Sequence, residues 1–275
     1  MNAILALAVA EFRLGLRNRW VTLIILLLGA LALTLALLGA APAGTSGVDR
    51  LTMTSVSLAS LSVYLLPLVA LLLAHDAIAG EQERGMLLLL LTYPLARWQL
   101  LAGKYLGHGL VLVLATVIGY GLAGAALWMV GGGGVAGLAV FARMLGSSLL
   151  LALAFLAIGY MISSWCRETS AAAGVAIAAW LGLVLLYDLG LLGALVADQA
   201  GWIAGDALRY ALLANPADSY RLYNLMSLPD TAMLTGMAGV ADQIRLSAHA
   251  PLLALIAWII LPLGLAEWLL QRRLP

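Results

Sequence analysis

Residues 21–38, VTLIILLLGALALTLALL, run without a single charged side chain, and five comparable runs follow along the chain. About 20 consecutive apolar residues suffice to cross a bilayer as a helix. Backbone inside hydrocarbon must bond to itself, which leaves helices or closed barrels. These runs are continuous rather than alternating, so the helix is predicted. The candidate spans are 21–40, 57–78, 100–129, 139–164, 170–196 and 251–270. The expected fold class is therefore all-α, a polytopic membrane protein of six transmembrane helices in a single transmembrane domain over residues 1–275. Residues 21–38 also resemble a signal-peptide core, but the run exceeds the usual core of roughly 7–15 residues. Pro42 also sits awkwardly near any cleavage point, so a retained helix is the better reading.

Composition supports lipid as the solvent. Hydrophobic residues make up 64% and charged residues 10%, against about a quarter charged in a soluble domain. No basic block with interleaved aromatics is present, which argues against nucleic acid as a partner. The lone cysteine, Cys166, excludes an intramolecular disulfide and a multi-cysteine metal site. His75, His108 and His249 are too scattered to be argued into one metal site. No GxSxG or HExxH occurs. The only Gly-Lys pair, Gly103–Lys104, lacks the upstream glycine and following Ser/Thr of a nucleotide loop. The chain is thus expected to hold no catalytic residues, no metal and no cofactor of its own.

Orientation follows from arginine and lysine placement. With both ends in the cytoplasm, the inner segments carry Arg13, Arg17, Arg19, Arg84, Arg97, Lys104, Arg167, Arg272 and Arg273, nine of the 14 basic residues. Residues 3–19 place Leu5, Ala8, Phe12 and Leu16 on one face with Arg13 and Arg17 beside it, predicting a helix along the inner interface within residues 1–20. Residues 197–250 carry five aspartates against three arginines and are expected as a small helical cap on the outer side. Asp188 and His108 are the ionisable candidates at membrane depth. Met226, Met233 and Met237 are candidate contacts for an outer partner, though packing on a helix face is the plainer role for methionine. Gly103 and Gly107 form a GxxxG that fits either packing within the bundle or a second copy.

One segment breaks the apolar pattern. GEQERGMLLLLLTYPLARWQ, residues 80–99, sets Glu81, Glu83 and Arg84 before a leucine run and a proline. With the preceding HDAIA and following LLAGKYLG, it resembles the signature of ATP-binding-cassette permeases of the type-2 class. The matching positions are Glu81, Gly85, Leu87 to Leu91, Pro94, Arg97 and Lys104. The hydropathy plan matches across the chain, and the motif covers residues 75–107.

The resemblance implies a multi-pass protein of the bacterial inner membrane, working as a homodimer with separate ATPase subunits that bind ATP and Mg. It implies that residues 79–99 form a cytoplasmic coupling helix docking on the ATPase through Glu81, Glu83, Arg84 and Arg97. SSWCRETS, residues 163–170, would give a second contact through Arg167 and Glu168. Within the family, AEFRLGLRNRW is most similar to membrane subunits of transporters that mature nitrous oxide reductase, implying an extracytoplasmic accessory partner in copper-site assembly. An ion-coupled secondary transporter, or an exporter of an unrelated hydrophobic substrate, is the alternative. The former should show paired ionisable residues at midplane.

Overall fold

The computed structural model describes residues 3–38, 50–87, 96–129, 134–197, 206–226, 247 and 249–273. Its elements are α1 (Ala3–Leu16), α2 (Arg19–Leu38), α3 (Arg50–Ala74), α4 (Ala79–Glu83), α5 (Arg97–Met129), α6 (Val135–Trp165), α7 (Thr169–Trp180), a π-helical turn (Leu181–Leu186), α8 (Tyr187–Ala197), α9 (Asp206–Leu213), α10 (Pro216–Met226) and α11 (Ala250–Arg273). No strand occurs among the described residues.

Five helical stretches are long and apolar enough to cross a membrane, or six if α1 and α2, bent by 68° to each other, count as one. The chain is therefore an all-helical membrane protein with five or six candidate spans. Most boundaries match the apolar runs closely, but α3 begins seven residues before the expected 57. The extension, RLTMTSV, and the residues just after it are rich in hydroxyls. Ser55, Ser57, Ser60 and Ser62 each donate to the carbonyl four residues back, so these polar groups are satisfied within the helix.

The core lies between α3 and α6, where Leu58, Leu66, Leu71, Leu151, Phe155 and Tyr160 are fully buried. On the other side, α5 carries α1 and α2. Gly103 and Gly107 are used here: an added Cβ would meet the Leu7 side chain at 2.9 Å or the Glu11 Cβ at 2.5 Å. The GxxxG therefore seats α1 within the same chain, and α1 is a helix packed on α5 as well as a candidate for the interface.

The described part of residues 197–250 is a hairpin, α9 and α10, that packs between α3, α6 and α11 rather than over their ends. Its turn is buried, with Asn215, Ala217, Ser219 and Tyr220 all at 0% exposure. Asn215 Nδ2 donates to the Leu183 carbonyl at 2.7 Å, at the π turn where the helical bonding pattern loosens. Tyr220 reaches Ser148 (2.9 Å), near the middle of α6. Ser148 lies 3.5 Å from Ser62, which bonds Tyr120 at 2.8 Å. This buried hydroxyl chain anchors the hairpin. Asn215 and Tyr220 find partners on Leu183 and Ser148 of the surrounding helices, and Ser219 on the Leu212 and Leu213 carbonyls of the hairpin itself; burial without them would be costly.

Candidate functional site

At one end of the bundle the chain leaves α3, turns through 75–78, and forms the short α4. Ser163 of α6 builds this turn. Its hydroxyl accepts from the backbone N–H groups of Ile78 and Ala79, each at 3.0 Å, and donates to the His75 carbonyl at 2.7 Å. Gly80 leaves room for the Asp76 carboxylate, whose Oδ1 an added Cβ would displace. Gly85, at φ +73°, ends the helix in the left-handed region that favours glycine.

Glu81 points inward. Its Oε1 lies 2.6 Å from Lys104 Nζ, and Glu11 Oε1 from α1 lies 2.5 Å from the same nitrogen. The lysine side chain is 3% exposed. A buried ammonium is costly to desolvate, and losing one partner of such a cluster costs about 3–5 kcal/mol. Glu11 Oε2 faces His108 Nε2 at 3.8 Å, and His108 Nδ1 is 2.7 Å from the Tyr160 hydroxyl. Elements α1, α4, α5 and α6 thus meet at one polar knot. His108, a candidate ionisable residue at membrane depth, belongs to it and is bonded to a neighbouring helix.

Glu83 turns the other way. Its Oε2 accepts from Thr169 N at 3.0 Å and Thr169 Oγ1 at 2.7 Å, capping the start of α7 from a different segment. These bonds, led by the backbone one, hold its carboxyl below the usual range. The turn at 166–168 is thereby fastened to α4. Arg84 (60% exposed) pairs loosely with Asp76 at 3.5 Å. Arg84, Gly85, Met86, Trp165, Arg167 and Glu168 form the exposed surface of the two joined connections. Arg97 lies apart from them. It donates to the carbonyls of Gln271 (3.0 Å) and Leu270 (3.5 Å), closing the C-terminal end of α11. Of the six expected contact residues, Glu83, Arg84, Arg167 and Glu168 lie on the exposed surface, Glu83 while bonded to Thr169, and Glu81 and Arg97 are turned to partners within the chain. Residues 88–95, including Pro94, lie outside the described residues.

Toward the other end, Asp188 of α8 is ion-paired with Arg221 of α10, which also bonds Asp218 at 3.0 Å. The Arg221 guanidinium lies 5.9 Å from the Tyr64 ring centre. Burial, reinforced by the neighbouring Asp188, pushes the Asp218 carboxyl up to about 7 against the pull of Arg221. Asp188 thus serves to hold the hairpin. Met226 ends α10 half-buried, and Met233 and Met237 lie outside the described residues. Among the described residues no three His, Cys, Asp or Glu side chains converge as a metal site would require.

Glu11 and Lys104 were not legible as partners in the sequence, being 93 positions apart. The available signal was that each is a solitary charge in an apolar stretch, AILALAVAEF and LLAGKYLG, where an unpaired ion is expensive.

The profile of a family described as ABC-2 family transporter protein matches residues 5–273. A protein of Pseudomonas aeruginosa called "Probable ABC transporter permease protein NosY" is 48% identical over 275 residues, covering 99% of both chains. A protein of the same name from Stutzerimonas stutzeri is 44% identical over 276 residues, covering both chains in full.

Proposed function

The chain belongs to the ABC-2 transporter family, and from that premise we propose that it passes the work of a separate ATPase across the bacterial inner membrane. The observation that carries the proposal is the fusion of two connections into one surface. Glu83 brings α4 and the start of α7 together at one surface, and Ser163 ties the same turn to α6, so one docking event would engage both connections and act on the spans behind α4. The reading places this surface in the cytoplasm, as the inner excess of arginine and lysine favours, with α4 as the coupling helix of a six-span fold.

The exposed Arg84, Arg167 and Glu168 are the docking contacts, forming charge-assisted bonds to the ATPase, which alone holds ATP and Mg. A second copy completes the transporter. The stretch from α7 through the π turn to α8 carries Gly174, Gly182, Gly190 and Gly193, where an added Cβ would meet nothing inside 4 Å, and is available for it. The beneficiary is the copper-site assembly of periplasmic nitrous oxide reductase, reached through an extracytoplasmic accessory protein. The similarity of AEFRLGLRNRW to permeases of that system and the relatives called NosY support this assignment.

Co-purification of the permease with its ATPase tests the docking. Arg84→Glu with Arg167→Glu is expected to abolish capture and leave the permease folded; full capture and coupled ATP hydrolysis would overturn it. For the beneficiary, deletion in a nitrous-oxide-respiring bacterium is expected to leave the reductase short of copper. A fully metallated, active reductase in that strain would reject the assignment.

A further inference from the structure

We infer that Lys104 is a positioning residue that locks α1, α4 and α5 into one rigid lever, with the movable joint lying at the Glu83–Thr169 contact. The inference rests on the coupling role proposed above and adds where the bundle bends. Ser163 holds the start of α4 to α6, and the fastenings of α4 toward α5 and toward α7 differ in kind. Toward α5 and α1, a lysine 3% exposed holds Glu81 at 2.6 Å and Glu11 at 2.5 Å, and the carboxylates are only 15% and 13% exposed. Separating these groups without water would strand a buried ion, which makes the arrangement hard to open. Close helix contact backs it, because Gly103 and Gly107 admit Leu7 and Glu11 with no room for a Cβ. The second oxygen of Glu11 faces His108, itself bonded to Tyr160, which fixes the register of α1 against α6.

Toward α7, by contrast, one solvent-exposed carboxylate accepts two bonds from Thr169. Water can replace such bonds at little cost. A push on α4 would therefore carry α1 and α5 with it and part from α7 first. Arg84 and Asp76, at 3.5 Å and both largely exposed, give no comparable restraint.

The test uses pairs of spin labels in a Cys166→Ser background, read by dipolar broadening, which suits short separations. One pair, at Arg13 and Gln82, spans the clamp; the other, at Gln82 and Ser170, spans the joint. In the permease alone, the Arg13–Gln82 separation should be narrow in the parent and in Lys104→Arg. It should spread in Lys104→Met and in Glu11→Gln, the latter a near-isosteric change that preserves folding should the former not. With the ATPase bound, nucleotide should shift Gln82–Ser170 and leave Arg13–Gln82 unchanged. A nucleotide-dependent Arg13–Gln82 separation in the parent, or narrow separations in both Lys104→Met and Glu11→Gln, would overturn the clamp. Failure of the parent permease to bind an ATPase would instead overturn the coupling role, and the ATPase-free arm would still judge the clamp.

Discussion

Replacing Ser163 with alanine removes one oxygen and strands two donors. The Ile78 and Ala79 N–H groups both point at that hydroxyl, at 3.0 Å each, and the side chain is 0% exposed. Each buried N–H left without a partner costs about 1–3 kcal/mol. The lost donation to the His75 carbonyl adds to this, and the turn will relax in part. The expected loss is about 2–5 kcal/mol. The adjacent Ser164 is the natural control. It is equally buried, at 2% exposure, but its hydroxyl has no hydrogen-bond partner. Ser164→Ala should therefore change stability by less than about 0.5 kcal/mol, or raise it. Equilibrium unfolding in mixed micelles measures both variants under one condition. Hydrogen exchange should in addition show residues 75–83 losing protection in Ser163→Ala alone. Equal effects of the two substitutions would refute the idea that Ser163 is the support on which the α4 turn is built.

Other consequences follow from the same contacts. Gly107→Val drives a side chain into Glu11 Cβ (2.5 Å) and the Ala8 carbonyl (2.9 Å). It should cost about 1–3 kcal/mol and expose α1 to protease, while Gly190→Val, with nothing inside 4 Å, should leave monomer stability unchanged. If the second copy sits on that face, the Gly190 variant should weaken self-association measured in lipid. Asp218, raised from 3.8 to about 7, holds its proton more tightly when folded than unfolded. Its contribution to stability is therefore fully present below about pH 4 and is lost as pH rises to about 7, and Asp218→Asn should flatten that part of the pH–stability profile. Arg97→Ala removes the donor to Gln271 and Leu270 carbonyls. It should cost about 1 kcal/mol and speed exchange in the last turn of α11.

The helices were legible because hydrocarbon leaves a backbone so few choices. An uncharged apolar run must bond to itself, and the runs at 139–164 and 170–196 emerged as Val135–Trp165 and Thr169–Ala197. The charged interruption at 80–99 was equally plain in one dimension. What one dimension omits is direction. Glu81 and Glu83 are two positions apart, about 200° around a helix, so one carboxylate faces the buried Lys104 and the other the start of α7. Alternation alone could not say which faced a surface.

The packing of the hairpin at 206–226 was illegible for a related reason. Its polar residues suggest exposure when read singly, and only packing reveals that Asn215 meets Leu183, Tyr220 meets Ser148, and Arg221 meets Asp188. The solvent, the helical class and the approximate ends of the spans could be read from one dimension, because these depend on local apolarity. Tertiary structure alone decided which charges pair, since a lone ion in an apolar run demands a partner without naming it. Here the partner of Lys104 came from 93 residues away, across a contact that Gly103 and Gly107 left open.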